Sequence, residues 1–200
     1  RMLAILALLA LALAILTGLA VRRGVLGPQD QTAAVGGPFQ MVDQAGATVD
    51  QRMLKGKWSA VFFGFTYCPD ACPTTLFALG QAEKLLGPRA ADFQTVFVSV
   101  DPGRDTPQQM KAYLANAAFP RATVGLTGSQ AQVDQVARAY HVFHQKAGDG
   151  PGYVINHSTI TYLMTPKGQF ACFIPYGASP EQMAAKITTA MRAGPNATAC

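Results

Sequence analysis

Ala60-Val-Phe-Phe-Gly-Phe65-Thr-Tyr-Cys68-Pro-Asp-Ala-Cys72-Pro73 is the stretch that decides the fold of this chain. Its first six residues are almost wholly apolar, as a strand buried on both faces should be. Pro73 suits the first turn of a helix, where a missing N–H costs nothing. Leu76, Leu79, Ala82 and Leu86 then form a helical stripe ending at Gly87-Pro88. The cysteine loop therefore joins the carboxyl end of a buried strand to the amino end of a helix. In open α/β sheets, ligands gather at that place. A helix N-terminus also favours the thiolate, the form that attacks disulfides and binds metal.

The rest of the chain alternates in the same way. Phe39-Gln-Met-Val42 and Ala47-Thr-Val49 flank Asp43-Gln-Ala-Gly46, a small hairpin signal. Thr95–Val100 is a second buried strand, and Thr106-Pro107 caps and opens a helix with Met110, Tyr113, Leu114 and Ala117 on one face. Thr123–Leu126 is a third, short strand. Ser129 caps a helix carrying Val133, Val136, Ala137 and Tyr140. Thr159–Met164 and Phe170–Ile174 surround a Pro166-Lys-Gly168 turn and read as a hairpin. Ser179-Pro-Glu-Gln182 is a capping box with proline at N1, opening a last helix with Met183, Ile187, Ala190 and Met191. This order predicts an α/β thioredoxin-like fold, a central mixed sheet with flanking helices preceded by an N-terminal β-hairpin. It occupies residues 38–193, with 194–200 as a tail.

Residues ahead of that domain have another character. Met2–Val21 carry no charge, and only Thr17 and Gly18 interrupt the aliphatic run. As a helix rising about 1.5 Å per residue, it matches a hydrocarbon layer of roughly 30 Å. We expect a single transmembrane helix within residues 1–23, an anchor that stays attached. Gly18-Leu19-Ala20 has the small-x-small look of a signal cleavage site, but signal cores usually stop near about 15 apolar residues. Either reading carries the remainder across a membrane. Residues 24–37, rich in Gly, Gln and Ala, read as a flexible tether. Arg22 and Arg23 favour the opposite orientation by the positive-inside rule. Arg1, Arg22 and Arg23 also carry three charges of the net +5, leaving about +2 beyond them. No Lys/Arg run follows residue 23, which sets nucleic acid aside.

Four cysteines are too few for a disulfide scaffold. Cys172 in an apolar strand reads as a core thiol, and Cys200 as an exposed tail residue. Cys68 and Cys72 hold one residue more between them than the C-x-x-C of dithiol oxidoreductases, so they can close a disulfide or chelate a metal. Thiolates select Cu(I), zinc or iron–sulfur clusters. Iron–sulfur clusters and structural zinc want four protein ligands. Two sulfurs and one imidazole suit copper. Of His141, His144 and His157, the last precedes the strand that should pass beside the cysteine loop, which selects it. Asp101 either supports the metal site from behind or caps the Asp101-Pro-Gly103 turn. Arg104 and Asp105 read as a solvated turn.

Three stretches now stand together: Phe65-Thr-Tyr-Cys68-Pro-Asp-Ala-Cys72-Pro73, Val98-Ser-Val-Asp101-Pro-Gly-Arg104-Asp105-Thr-Pro107 and His157-Ser-Thr-Ile-Thr-Tyr162-Leu-Met-Thr-Pro166-Lys-Gly168. In order and spacing they resemble the three signatures of the Sco/SenC family, over about Pro38 to Met191. The resemblance implies a thioredoxin fold binding copper, Cu(I) or Cu(II), through Cys68, Cys72 and His157. It implies a metallochaperone for the CuA centre of cytochrome c oxidase subunit II, with a copper donor protein or a thioredoxin-like reductant as a further partner. Its setting would be the bacterial inner membrane with the domain in the periplasm, or the mitochondrial inner membrane facing the intermembrane space. That setting overrides the Arg22-Arg23 signal, and we expect a monomer. Cys172 and Cys200 fall outside the family pattern and add a risk of off-path disulfides. The competing reading is a thiol–disulfide oxidoreductase that reduces the acceptor's cysteines, with Cys68 attacking and Cys72 resolving. A thiol peroxidase rests on the fold alone.

Overall fold

The computed structural model describes residues 35–150 and 152–200, with Gly18 alone before them. The expected anchor and nearly all of the tether lie outside the described residues. Among the described residues, no helix is long and apolar enough to cross a membrane.

The buried run becomes β3 (Trp58–Gly64), an interior strand of a seven-stranded sheet. It begins earlier than the apolar run suggests, because Trp58 and Ser59 pair with Phe93 and Gln94 of β4 (Phe93–Ser99). β3, β4 and β5 (Thr123–Thr127) run parallel. On one side β3 pairs antiparallel with β8 (Thr161–Met164), which pairs with β9 (Phe170–Ile174). On the other side β5 pairs with β1 (Gln40–Asp43), whose hairpin partner is β2 (Thr48–Asp50). The Asp43 carboxylate accepts from the Ala45 and Ala47 N–H groups, and Gly46 takes φ +86°, where a side chain would be strained. The expected central mixed sheet and leading hairpin are both present.

Four helices cover the sheet: α1 (Ala71–Leu86), α2 (Pro107–Leu114), α3 (Gln130–Ala139) and α4 (Pro180–Ala193). Thr106 caps α2, and Ser129 and Ser179 form complete capping boxes at α3 and α4. The stripe residues read from the sequence are buried or half-buried, except Ala117, which is exposed because α2 ends at Leu114. Leu79, Ala82 and Leu86 of α1 meet Met183, Ile187 and Ala190 of α4 over Trp58, Ala60 and Leu163. Phe62, Phe63 and Phe97 gather Met110 of α2 with Val133 and Val136 of α3 in the larger cluster.

Two further features differ from the sequence expectation. First, β6 (His144–Ala147) and β7 (Val154–His157) form a separate two-stranded sheet. Each has four residues, and Gln145, Lys146, Val154 and Asn156 are exposed, so little apolar alternation marks them. Second, Cys172 and Cys200 are neither a core thiol nor a free tail residue: they form a disulfide. After Gly194 (φ +87°) ends α4, the chain turns back, Ala197 is buried, and Cys200 reaches β9. Twenty-eight residues of separation hid the pairing. The tail is thus bound into the domain, and the expected off-path risk is met by these two cysteines bonding to each other.

Candidate metal centre

β3 delivers the chain to the site, and a turn (Cys68 N–H to Phe65 carbonyl, 3.1 Å) places Cys68 above the sheet. α1 starts at Ala71, two residues before Pro73. The proline still sits in the first turn, where N–H groups lack intrahelical partners. Asp70, at the N-cap position, gives no side-chain cap. Instead the Cys72 N–H points at Cys68 Sγ, 3.4 Å away. The first sulfur takes the cap position of the helix that carries the second.

Cys68 is partly exposed and Cys72 is buried. The Cys72 thiol above all, helped by His157 and by the backbone N–H groups of Asp70 and Cys72, holds the Cys68 thiol down to about 4 against the opposing effect of burial. The Cys72 thiol moves the other way, raised first by Cys68 and then by its burial. One proton is shared between two sulfurs, so one thiolate stands ready on the accessible side.

His157 ends β7 and reaches the same place. Its Nε2 lies 3.7 Å from Cys72 Sγ. Its Nδ1 lies 2.8 Å from the Ser158 carbonyl, which can only accept, so this nitrogen carries the proton. In the neutral ring Nε2 then keeps its lone pair toward the sulfurs, the tautomer a metal requires. Phe62 and Phe65 meet the imidazole edge-on, with centroids 6.4 and 5.8 Å away. The ligand atoms of Cys68, Cys72 and His157 all lie within 4.8 Å of one another. Among the described residues no other cysteine, histidine or carboxylate joins them. Two sulfurs and one nitrogen converging beside the Phe62 and Phe65 rings fit a thiophilic metal.

The other histidines stand apart. His144 lies opposite His157 in the β6–β7 register but reaches toward Asp134, with Nε2 3.5 Å from the carboxylate. His141 is exposed, at φ +55° beyond the end of α3.

The turn after β4 is not solvated, contrary to expectation. Asp105 is completely buried and accepts from Thr66 Oγ1 (2.7 Å), Thr66 N–H (3.1 Å) and Ser99 Oγ (2.6 Å). Burial pushes its carboxyl above the usual range, against the pull of those donors. Because Thr66 stands two residues before Cys68, this carboxylate ties the cysteine loop to β4. Arg104 pairs with Asp101 and lies over the Tyr153 ring, 3.5 Å from its centroid. The Asp101 backbone carbonyl accepts from the Arg104 and Asp105 N–H groups, and its carboxylate accepts from the Tyr153 hydroxyl. Asp101 thus caps the turn and clasps the β6–β7 hairpin; it is not among the groups that converge with the sulfurs. Gly64 was also missed: a Cβ there would stand 2.7 Å from Cys72 Sγ and 2.8 Å from the Phe97 ring. Its place inside a buried strand was the available signal.

The family model for SCO1/SenC matches residues 27–192. The chain belongs to the SCO1/SenC family. Among SCO1/SenC relatives, the mitochondrial SCO1 homolog 1 of Arabidopsis thaliana is 41% identical over 149 residues, covering 74% of this chain and 44% of its own length. The chain thus spans less than half of that relative. The crystal structure of Arabidopsis thaliana ScoI with copper bound superposes with a TM-score of 0.76 at 36% identity, covering 80% of this chain and 99% of that one. BsSco, described with a disulfide switch and as a member of the Sco family of cytochrome c oxidase assembly proteins, superposes with a TM-score of 0.60 at 26% identity, covering 76% of this chain and 90% of its own. The thioredoxin-like SCO1/SenC fold expected from the sequence is the fold observed.

Proposed function

We propose that this chain binds copper through Cys68 Sγ, Cys72 Sγ and His157 Nε2 and delivers it to the CuA centre of cytochrome c oxidase subunit II. The observation that carries the reading is the convergence of these three donors in one pocket with the imidazole lone pair facing the sulfurs. The copper held by the Arabidopsis relative supports the choice of metal. Residues 1–23 act as a single-pass anchor and 24–37 as a tether, so that the domain from residue 38 works at the face of the inner membrane where the CuA centre is built. Copper is cargo here: three soft or borderline ligands, two of them on partly exposed residues, hold it while an acceptor approaches.

The test adds copper to the reduced chain and records metal content and optical spectrum. Thiolate-to-Cu(II) charge-transfer bands are expected, and they should vanish in Cys68→Ala. Bands that persist in Cys68→Ala would end the three-ligand reading.

A second reading is favoured by the unequal burial of the two cysteines. The Cys68 thiolate attacks one sulfur of an acceptor disulfide and expels the other as a thiolate. Cys72, losing its proton, then attacks Cys68. The acceptor gains two electrons and two thiols while Cys68 and Cys72 close a disulfide. Mixing the reduced, metal-free chain with an oxidised CuA-site peptide separates the two: thiol release without copper supports the reductant.

A further inference from the structure

β7 presents one face to the body of the protein. Tyr153, just before it, and Ile155 and His157 within it alternate inward, while Val154 and Asn156 are exposed. His157 meets the sulfurs at one end, and Ile155 enters the main core in the middle. At the other end the Tyr153 hydroxyl donates to Asp101 Oδ1 at 2.6 Å, under the Arg104 guanidinium. Arg104 also lies over Tyr67, the neighbour of Cys68, 4.8 Å from its ring centroid. One guanidinium therefore touches the segment before His157 and the segment before Cys68.

The hairpin is otherwise held by Ile155 and, from β6, by His144, whose Nε2 lies 3.5 Å from the Asp134 carboxylate of α3. No ladder hydrogen bond joins it to the main sheet among the described residues. An open cavity of about 340 Å³ separates the two, with Val100 and Gln130 on the body and His144 and Lys146 on the hairpin. Ile155 and the His144–Asp134 contact hold the hairpin in its middle and near His157, and leave the Tyr153 end free to swing. A further point of attachment, about 13 Å from His157 at the usual strand rise, removes that freedom.

We infer that the clasp of Asp101, Arg104 and Tyr153 sets the position of His157, and so decides whether the site offers three ligands or two. These are positioning residues. The inference deepens the copper reading and rests on it for the nature of the ligand, but the clasp itself is testable without metal. Closing the clasp brings Nε2 to the sulfurs; opening it withdraws the imidazole and leaves a dithiol. An acceptor that displaced Tyr153 would remove one ligand from the cargo at the moment of transfer.

The test uses Tyr153→Phe in the full chain, because phenylalanine keeps the ring under Arg104 and removes only the donor. In the reduced, metal-free protein, amide exchange of residues 154–158 should quicken about fivefold while β3 and β4 keep their protection. Copper retention should fall about tenfold, the lower end for losing an outer partner of a ligand. In a His157→Ala background the same change should leave copper retention where it was. Asp101→Asn should reproduce both effects, and a uniform rise in exchange across β3 and β4 would instead mark a general loss of structure and overturn the inference. Unchanged exchange at 154–158 would overturn it, as would an equal copper loss in the His157→Ala background. If the unaltered chain takes up no copper, the copper reading fails while the exchange measurement still decides the clasp.

Discussion

The two halves of the site are built differently. The sulfur half grows out of an interior strand of the main sheet. Cys68 in the loop after β3 and Cys72 in the first turn of α1 lie four residues apart, and are fixed below by Gly64 and sideways by the Asp105–Thr66 bonds. The imidazole half arrives on a two-stranded sheet outside the main one, 85 residues from Cys72, held by Ile155, by the His144–Asp134 contact and by the contacts of Tyr153. One half is part of the core and the other is docked onto it. The proposed delivery of copper would be served by that inequality, with the dithiol keeping its geometry while the third ligand moves.

The contrast can be broken most sharply at the ligands themselves. Cys72→Ala should abolish the copper charge-transfer bands, whereas His157→Ala should weaken retention by at least the 10–100-fold typical of losing a ligand's outer partner, and still allow a Cys68–Cys72 disulfide. Equal copper affinity with and without His157 would mean that the imidazole half is idle. The next effect falls on stability. Asp105→Ala strands the Thr66 N–H and two hydroxyls in a buried site, and should lower unfolding free energy by about 3 kcal/mol in a denaturant titration. No change there would show that the cysteine loop does not depend on β4. The smallest effect is expected at Gly64→Ala, about 1–2 kcal/mol of overpacking, with Cys72 Sγ displaced. Thiol-labelling rates of Cys72 in the folded protein should rise; a rate equal to that of the unaltered chain would remove Gly64 from the sulfur half.

The sulfur half was legible for a physical reason. Strand, loop and helix are consecutive, so hydrophobic pattern and proline placement locate both cysteines without any distant contact. The same locality made Thr106, Ser129 and Ser179 readable as caps. His157 was identified by the expected topology, although it ends a strand of its own rather than leading directly into β8. That strand was invisible because its partner is short and polar. Arg104 and Asp105 were misread for a related reason: charged residues in a turn are usually solvated, and only the neighbouring segments reveal that Thr66, Ser99 and Tyr153 enclose them.

By itself, then, the sequence determined the α/β order of the main sheet, the parallel core around Ala60–Phe65 and a cysteine pair at a helix start, because these depend on residues near one another along the chain. The tertiary structure alone decided which nitrogen of His157 faces the sulfurs, that Asp105 lies beneath the cysteine loop, that Asp101 clasps Tyr153, and that Cys200 bonds to Cys172. Apart from the bond of His157 Nδ1 to its own neighbour Ser158, each of those pairings joins distant chain segments through a hydrogen bond or a covalent bond whose partner no local pattern names.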